Sequence, residues 1–407
     1  MSLVRFAPAV LGGRVRVPVS KSAAHRAMIC SFLAGAPDPL PSGEAVSEDL
    51  AATRSALAAL NAAKRREAAR VDCGESGSTL RFLIPVAAAL GIPSVFTGRG
   101  RLPERPLGVY LKCLPPQGVT CESGGGLPLR ISGRLKPGVF SLPGNVSSQF
   151  ITGLMLALPL LGGDSEIVLT SPLESAGYAE MTVQILKEHG VGIFSSETGW
   201  KVPGNQKYLP CRCEIERDWS QAAFFLAAGA LGGHVELDGL RPDSAQGDRA
   251  AEELFRRFGA RLGWNGGILT AEPGELWGIE IDASQIPDLV PVLAAAAALA
   301  KGRTVIRNAG RLRLKESDRL AAMADGLSAV GAAVKQTADG LIIDGSPQLR
   351  GGAADGRNDH RVVMAMAIAA LRADGDVTVT DAESIRKSYP DFFRDYNALG
   401  GKANDLG

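Results

Sequence analysis

The stretch VPVSKSAAHRAMICSFLAG, residues 17–35, joins a strand-like run to a helix-like run, and two cations lie where the runs meet. Lys21 and Arg26 flank Ser22 at the start of the predicted helix, and the stretch contains no acidic residue. Because a helix N-terminus already carries partial positive charge, each cation there costs about 0.3–1 kcal/mol. Local conflicts of this kind are expected at functional sites. A bound anion would remove the conflict, since backbone N–H groups and cations both favour it.

Similar polar clusters recur at other predicted helix starts. They contain, in chain order, Gly77, Ser78, Thr79, Arg81 and, in the following loop, Arg105; Ser147, Ser148 and Gln149; Ser175 and Tyr178; Asp288; Lys315, Glu316 and Arg319; Asp359, His360 and Arg361; and Arg386 and Lys387. Most of their charged members are basic, which predicts ligands with several negative charges, such as phosphates and carboxylates. Asp288 and Glu316 are acids among these bases, and a carboxylate in such surroundings is a candidate proton carrier.

Each cluster taken alone also has a structural interpretation. Ser22 and Ser148 are good N-cap residues, and Gly77 suits a turn. Residues 315–319 fit a solvated helix face with a modest ion pair, and His360 fits a structural histidine. The functional interpretation depends on the recurrence of the same unfavourable placement in several helices.

The clusters belong to a segment that occurs six times along the chain. A polar residue opens a run of small and apolar residues, and a short strand-like run and a more charged helix follow. The six runs start at Ser22, Ser78, Ser148, Ser220, Asp288 and Asp359, which lie 56, 70, 72, 68 and 71 residues apart. The first helix of each unit is apolar nearly all round, which predicts burial, and the second is predicted to lie outside. Solenoid repeats are shorter, about 20–50 residues, so six units favour two three-unit lobes.

Composition narrows the function classes. The chain has 407 residues, of which 45% are hydrophobic, and its formal net charge is +1 at pH 7. This balance gives no global electrostatic support for a nucleic-acid or membrane partner. The absence of CxxC and HExxH spacings predicts no zinc site. Scattered cysteines and a start unlike a signal peptide predict a cytoplasmic protein. The residues alone therefore predict a metal-free transferase acting on two polyanionic small molecules in a cleft between similar lobes.

Four motifs in this order, SKSxxxR, SSQF, LKESDR and NDHR, resemble those of the EPSP synthases (3-phosphoshikimate 1-carboxyvinyltransferases). The resemblance extends from SKSAAHR to RKSYPDFF, nearly the whole chain. It implies an α/β protein with the two-lobed enolpyruvyl-transferase fold, six repeated βαβαββ units, three per lobe, and a cleft between the lobes. The chain would cross between lobes near Val19 and Glu216. Residues 20–216 would form the N-terminal lobe, and residues 217–407 with 1–19 the C-terminal lobe.

The resemblance also implies an activity: transfer of the enolpyruvyl group of phosphoenolpyruvate to the 5-hydroxyl of shikimate 3-phosphate by addition and elimination, with release of phosphate. This is a step of the shikimate pathway to chorismate and the aromatic amino acids. Matched by motif, the shikimate 3-phosphate site comprises Lys21, Ser22, Arg26, Ser147, Ser148, Gln149, Ser175, Asp288 and Lys315. The phosphoenolpyruvate site comprises Lys21, Gly77, Arg105, Gln149, Arg319, Arg361 and Lys387.

Three of these residues would be catalytic. Asp288 would accept the proton of the attacking hydroxyl, Glu316 would exchange a proton with the methylene carbon, and Lys21 would lie between the two ligands. The resemblance implies no cofactor and no metal. It also implies a monomer, the usual state in this family. A methyl group at the position of Gly77 hinders the inhibitor glyphosate in this family, so a glyphosate-sensitive site is expected. Glu75 and Arg311 stand where many members have Asn, and neither is assigned a role.

Three alternatives stay open. UDP-N-acetylglucosamine enolpyruvyl transferase shares the fold and the phosphoenolpyruvate chemistry, but that family has a cysteine in the loop matching GRGRLPERP, where this chain has none. An RNA-phosphate-cyclase-like protein would share the repeat, but it needs adenylating machinery that the sequence does not display. A non-catalytic polyanion-binding protein would gain nothing from acids at Asp288 and Glu316.

Overall fold

The computed structural model describes residues 2–63, 68–212 and 214–407. The chain divides into two compact units. The continuous unit is Ser20–Ile215, and the split unit is Met1–Val19 together with Glu216–Gly407. The continuous unit is thus inserted into the split unit near the chain's start.

Helices and strands occur in both the continuous and the split unit of the described residues. The chain opens with β1 (Leu3–Phe6) and β2 (Gly12–Val15), both in the split unit. The continuous unit has α1 (Lys21–Leu33), α2 (Glu48–Ala62), β3 (Ala69–Asp72), α3 (Gly77–Leu90), β4 (Ser94–Thr97), α4 (Gly108–Cys113), β5 (Val119–Glu122), β6 (Leu129–Gly133), β7 (Val139–Leu142), α5 (Ser148–Ala157), β8 (Ser165–Leu169), α6 (Ala176–Glu188), β9 (Phe194–Ser196) and β10 (Gly199–Val202). The split unit continues with α7 (Trp219–Gly232), β11 (His234–Leu237), α8 (Ala250–Phe258), β12 (Arg261–Asn265), β13 (Ile268–Glu272), β14 (Glu280–Asp282), α9 (Val290–Ala297), β15 (Arg303–Arg307), α10 (Arg319–Ala329), β16 (Ala333–Gln336), β17 (Leu341–Asp344), β18 (Gly352–Ala354), α11 (His360–Ala370), β19 (Val377–Thr380), α12 (Phe392–Ala398) and β20 (Ala403–Asp405).

The strands described form five four-stranded sheets with one shared topology. In β3-β4-β6-β5, for example, β3 and β4 pair in parallel, and β6 pairs antiparallel with both β4 and β5. The parallel pair is connected by a buried helix, and a second helix leads to the antiparallel pair. The other sheets are β7-β8-β10-β9, β2-β11-β13-β12, β14-β15-β17-β16 and β18-β19-β1-β20. The predicted α/β fold with repeated βαβαββ units is therefore confirmed.

The unit that starts at Ser22 differs from the other five in its strands. Its helices α1 and α2 are present, but residues 34–47 between them form no strand. Pro37, Pro39 and Pro41 lie in this segment, and proline cannot donate a hydrogen bond to a strand ladder.

The first helix of each unit is buried, as the apolar runs predict. Every residue of α9 and α11 is buried, and so are thirteen of the fourteen residues of α7. The second helices bury a single stripe. In α8 this stripe is Ala251, Leu254, Phe255 and Phe258, at the three- and four-residue spacing of one helix face. The start of each buried helix is therefore where its polar residues are concentrated.

Several helix starts lie one or two residues before the predicted ones. Side chains of Ser20, Ser76, Ser147 and Asp218 accept the N-terminal N–H groups of α1, α3, α5 and α7. The N-cap interpretation of Ser22 and Ser148 is therefore wrong, because both residues lie inside the first turn. Asp359 does cap α11. Asp288 lies in the 3₁₀ turn Pro287–Leu289 that leads into α9.

Candidate active site

Hydrogen bonds tie together the first turns of α1, α2 and α3 in the continuous unit. Lys21 Nζ lies 2.6 Å from Asp49 Oδ2, at the start of α2. The Asp49 carbonyl accepts a hydrogen bond from Thr79 Oγ1 at 3.4 Å. Thr79 Oγ1 lies 2.6 Å from Thr53 Oγ1, which lies 2.7 Å from His25 Nδ1. The position of Lys21 is therefore set by α2, and α2 is fixed to the start of α3.

Arg26 is a buried cation held by neutral oxygen atoms. Its guanidinium donates to Thr182 Oγ1 at 2.7 Å, to Thr152 Oγ1 at 3.1 Å and to the carbonyls of Ser22 and Tyr178. Within the described residues no carboxylate forms an ion pair with it. Burial lowers the pKa of Arg26 to about 10, although Tyr178 acts to raise it. A buried charge without a counter-charge is unfavourable, so an anion bound here would stabilise the site.

Two guanidinium groups converge on the start of α3. A Cβ atom at Gly77 would lie 2.7 Å from Arg105 Nη1 and 2.7 Å from Arg81 Nη1. Arg81 Nη1 donates to Gln149 Oε1 at 2.8 Å, and Gln149 Nε2 donates to Ser78 Oγ at 3.0 Å. The glycine is needed here because the two cations occupy the space that a side chain would take. Two cations beside a helix N-terminus form an anion site.

Ser147, Ser148 and Ser175 lie at the starts of α5 and α6, two helices that pack against each other. Ser147 Oγ accepts the Gln149 backbone N–H, with 3.3 Å between the heavy atoms. Ser175 is buried and adopts φ 56°, ψ 48°. A non-glycine residue in this left-handed region is uncommon, and such strain concentrates at ligand-binding positions.

In the split unit, one guanidinium connects three carboxylates. Arg319 Nε lies 2.8 Å from Asp359 Oδ2, Nη1 lies 2.9 Å from Asp288 Oδ1, and Nη2 lies 2.7 Å from Glu316 Oε2. The Arg319 side chain is only 1% exposed. Burial acts to lower the pKa of Arg319, but Asp359, Glu316 and Asp288 together raise it. The interpretation of residues 315–319 as a solvated helix face is therefore wrong.

Three further cations surround this cluster. Lys315 Nζ lies 3.3 Å from Asp288 Oδ1, and burial lowers the pKa of Lys315 against the opposing effect of Asp288. Arg361 Nη1 donates to the Asp288 carbonyl at 2.9 Å. Lys387 Nζ donates to the carbonyl of Asn358 at 2.6 Å. Asp288 therefore contacts three cationic side chains, those of Lys315, Arg319 and Arg361.

The structure collects the predicted residues into two clusters, one in each unit. The first gathers Lys21, Ser22, Arg26, Gly77, Arg105, Ser147, Ser148, Gln149 and Ser175 around the starts of α1, α3, α5 and α6. The second gathers Asp288, Lys315, Glu316, Arg319, Arg361 and Lys387. The two residues without an assigned role lie beside them. The Glu75 carboxylate lies against Gly100, and Arg311 donates to the Ser284 carbonyl.

Sequence reasoning missed three partners in these clusters. Asp49 pairs with Lys21 from 28 residues away, and Asp359 was not assigned as a partner of Arg319. Arg81 belongs to the polar cluster at the start of α3, but the motif match implies no ligand for it. The acidic start of α2, SED, is the signal that could have indicated Asp49.

Two further findings concern the described residues. Among them, no group of three or more His, Cys, Asp or Glu side chains is placed to hold a metal ion. In the same part of the chain, no helix combines the length and apolar character needed to cross a membrane.

Two solved structures that share the fold are enolpyruvyl transferases. An EPSP synthase from Acinetobacter baumannii superposes with a TM-score of 0.78 at 26% identity and covers 100% of both chains. The enolpyruvyl transferase NikO from Streptomyces tendae, at 19% identity, shares the fold with a TM-score of 0.77 over 100% of this chain and 99% of its own.

Sequence comparison is more specific than the fold. The family model of EPSP synthase (3-phosphoshikimate 1-carboxyvinyltransferase) matches residues 7–396. A 3-phosphoshikimate 1-carboxyvinyltransferase from Clostridium novyi (strain NT) is 42% identical over 98% of each chain. Another, from Clostridium acetobutylicum, is 42% identical over 100% of this chain and 99% of its own. The chain therefore belongs to the EPSP synthase family. The predicted enolpyruvyl transfer in the shikimate pathway is confirmed, and the alternative functions are not favoured.

Proposed function

We propose that the cluster in the continuous unit supplies the main anchors of the two anionic substrates, and that the cluster in the split unit moves the protons and supplies the remaining predicted ligand contacts. The observation that carries this division is the sharing of one buried guanidinium, Arg319, by Asp288 and Glu316. Both proton carriers are thereby held against a single cation. A cation that is already shared among carboxylates is poorly suited to be the main anchor of a phosphate.

The residues proposed to bind shikimate 3-phosphate are Lys21, Ser22, Arg26, Ser147, Ser148, Gln149, Ser175, Asp288 and Lys315. Arg26 supplies charge that the neutral oxygens around it do not cancel. Charge-assisted hydrogen bonds to a phosphate are about twice as strong as neutral ones. The serine hydroxyls in the first turns of α1 and α5 would add neutral donors beside the backbone N–H groups.

Phosphoenolpyruvate would be bound by Lys21, Gly77, Arg105, Gln149, Arg319, Arg361 and Lys387. The close approach of Arg81 and Arg105 to Gly77 supports an anion at the start of α3. An anion that engages Arg319 would compete with Glu316 for the guanidinium. Loss of that partner raises the proton affinity of Glu316, which would enable Glu316 to protonate the methylene carbon.

The reaction balances with two proton carriers. In the addition, the hydroxyl oxygen bonds to C2 of phosphoenolpyruvate, Asp288 takes the hydroxyl proton, and Glu316 donates a proton to the methylene carbon. In the elimination, the bond between C2 and the phosphate oxygen breaks, and Glu316 takes back a proton from the methyl group as the double bond forms again. Asp288 returns its proton to the departing phosphate. An acid or base of this kind contributes about 10²–10⁴ in rate.

The test is phosphate release from phosphoenolpyruvate with shikimate 3-phosphate, and in parallel with UDP-N-acetylglucosamine. Release with shikimate 3-phosphate alone is expected. Release with the nucleotide sugar would overturn the substrate assignment. Binding of shikimate 3-phosphate without any release would overturn the roles proposed for Asp288 and Glu316.

The remaining predictions from the resemblance are part of the same proposal. The units would correspond to the predicted lobes, 20–216 and 217–407 with 1–19. The enzyme would act as a monomer in the cytoplasm, with no nucleic-acid or membrane partner. Sedimentation at the assay concentration tests the oligomeric state, and a dimer would contradict it. Fractionation of source cells tests the location, and recovery outside the cytoplasmic fraction would contradict it.

A further inference from the structure

Lys387, a residue of the proposed phosphoenolpyruvate site, is anchored to a backbone carbonyl group. Its Nζ atom lies 2.6 Å from the carbonyl oxygen of Asn358, to which it donates a hydrogen bond, and Lys387 is only 4% exposed. Asn358 lies in the turn between β18 and α11, and Lys387 ends the 3₁₀ turn Ala382–Lys387 that follows β19. Because β18 and β19 pair in parallel, both turns leave the sheet at its carboxyl-terminal edge.

The backbone that presents this carbonyl group has an uncommon conformation. Arg357 and Asn358 have φ values of 54° and 49°, and Asp381, which precedes the 3₁₀ turn, has φ 56°. The left-handed region is disfavoured for residues with a Cβ atom, although Asn tolerates it better than most. Three such residues in two turns that contact each other are backbone strain of the kind that concentrates at ligand-binding positions.

Hydrogen bonds hold the peptide groups on both sides of the Asn358 Cα atom. The Asn358 N–H group donates to Asp381 Oδ2 at 2.9 Å. In the next peptide group, the carbonyl accepts from Lys387, and the N–H group of Asp359 donates to the Gly356 carbonyl at 2.9 Å. The direction of the Asn358 carbonyl group is therefore fixed, and this direction sets the position of the Lys387 ammonium group.

We propose that Asn358 is a positioning residue for phosphoenolpyruvate binding: its left-handed backbone aims its carbonyl group at Lys387, and Asp381 fixes that backbone. The role belongs to the backbone conformation and needs no contact between the Asn358 side chain and a substrate. It gives the first residue of the NDHR motif a physical use, since Asn tolerates the conformation that the turn requires. The inference rests on the proposed function in one respect, the assignment of Lys387 to the phosphoenolpyruvate site.

The first test compares two substitutions at Asn358. Asn358→Gly removes the side chain but keeps the left-handed conformation, so KM for phosphoenolpyruvate is expected to stay within about twofold of the wild type. Asn358→Ala disfavours that conformation and turns the carbonyl away from Lys387, so the same KM should rise about tenfold. The KM for shikimate 3-phosphate should be nearly unchanged, and kcat should change less than the KM for phosphoenolpyruvate.

Two outcomes of this comparison would overturn the proposal. A wild-type KM in Asn358→Ala would show that the direction of the carbonyl group does not matter for binding. A rise in Asn358→Gly as large as that in Asn358→Ala would assign the role to the Asn358 side chain rather than to its backbone.

Asn205 provides the matched control, because it also has a left-handed backbone, with φ 54°. It lies in the continuous unit, where its side chain donates to the carbonyl of Gly162. Asn205→Ala and Asn205→Gly should both leave the KM for phosphoenolpyruvate unchanged. A rise in Asn205→Ala equal to that in Asn358→Ala would overturn the specific role of Asn358.

A substitution at Asp381 covers the case in which Asn358→Ala does not fold. Asp381→Gly removes the acceptor of the Asn358 N–H group, while glycine keeps the left-handed φ at this position. The KM for phosphoenolpyruvate is expected to rise about threefold, since one hydrogen bond that fixes the turn is lost. An unchanged KM in folded Asp381→Gly would overturn the proposal.

The last test does not need activity. In protein labelled with ¹⁵N at the lysine Nζ atoms, the resonance that is absent from Lys387→Arg identifies Lys387. Its ammonium hydrogens should exchange with water slowly in the wild type and in Asn358→Gly, and about tenfold faster in Asn358→Ala. Equal exchange rates in Asn358→Ala and the wild type would overturn the anchoring. A wild type without phosphate release would instead overturn the proposed function, and the exchange rates would still decide whether Asn358 holds Lys387.

Discussion

The cations of the two clusters are held by different kinds of partner. In the continuous unit, Arg26 is bound by hydroxyl and carbonyl oxygens, and Arg81 donates to the amide of Gln149. In the split unit, Arg319 is bound by the carboxylates of Asp288, Glu316 and Asp359. Both sets of arginines are buried, so the difference is not one of exposure.

This difference assigns a different chemical use to each cluster. A buried arginine among neutral oxygens keeps its charge available to an incoming anion. A buried arginine among carboxylates has its charge balanced already, and it holds the acids close together in a low-dielectric setting where their proton affinities respond to one another. Substrate binding and proton transfer are therefore expected to be separable by mutation. The predictions below test this, from the largest expected effect to the smallest.

Glu316→Gln should have the largest effect. The amide keeps the shape and a hydrogen-bond acceptor for Arg319 but cannot exchange a proton. We expect kcat to fall by about 10²–10⁴, with KM for each substrate within a few-fold of the wild type. Steady-state phosphate release measures both, with Glu253→Gln as the control for loss of an acid. A raised KM at unchanged kcat would assign Glu316 to substrate binding and contradict the different uses assigned to the two clusters.

Arg26→Lys should act on binding in the other cluster. The lysine keeps the charge but loses the planar fork that reaches Thr152 and Thr182. A hydrogen bond to a charged group contributes about 1.5–3 kcal/mol, so KM for shikimate 3-phosphate should rise by about 10–100-fold, with a smaller change in kcat. Arg54→Lys, on α2 of the same unit, is the control, since Arg54 is half exposed and pairs with Asp38. An equal loss in both variants would show that the effect is not specific to the site.

Gly77→Ala should weaken binding of phosphoenolpyruvate by about tenfold. The new methyl group would lie 2.7 Å from Nη1 of both Arg81 and Arg105. These are the ends of flexible side chains, so they would move away from the anion rather than unfold the helix. The same change should weaken inhibition by glyphosate.

The matched control for this change is Gly108→Ala, at the start of α4, where a Cβ atom would meet nothing within 4 Å. Kinetic assays with each substrate varied in turn separate the effect on KM for phosphoenolpyruvate from the effect on KM for shikimate 3-phosphate. A rise in KM for shikimate 3-phosphate alone would contradict the assignment of Gly77 to the phosphoenolpyruvate site.

Asp49→Asn should give the smallest effect. It sharpens the comparison because Lys21 and Asp49 form an ion pair within the substrate-binding cluster. Removing the Asp49 carboxylate means that it no longer competes with a bound phosphate for the Lys21 ammonium group. A partly exposed pair contributes about 0.2–1 kcal/mol, so inhibition by inorganic phosphate should become about threefold tighter. Asp38→Asn, which removes the partner of Arg54, should leave phosphate inhibition unchanged. Weaker inhibition in Asp49→Asn would mean that Asp49 mainly orients Lys21.

The sequence predicted the repeated helices because burial follows from local composition. An apolar run of 13 or 14 residues such as α7 has few alternatives to a buried helix. Helix starts were less accurate, because Ser20 and Ser22 are both suitable caps and the choice depends on the geometry of the preceding turn. The missing strands of the first unit were not foreseen, although the three prolines in residues 34–47 are visible in the sequence.

The individual contacts could be predicted only in part. Motif matching named Asp288, Glu316 and Arg319 together, but their shared hydrogen bonds depend on packing among a 3₁₀ turn, α10 and α11. The Arg319 side chain is only 1% exposed, and burial of a single polar residue is a property of the tertiary structure.

The position of β1 has a consequence for how the chain is made. This strand, Leu3–Phe6, pairs with β19 on one side and with β20 on the other. It is synthesised before the continuous unit, whereas both of its partners are synthesised after that unit. The continuous unit can complete its own sheets while translation proceeds, whereas β1 stays without its partner strands until β19 and β20 have been synthesised.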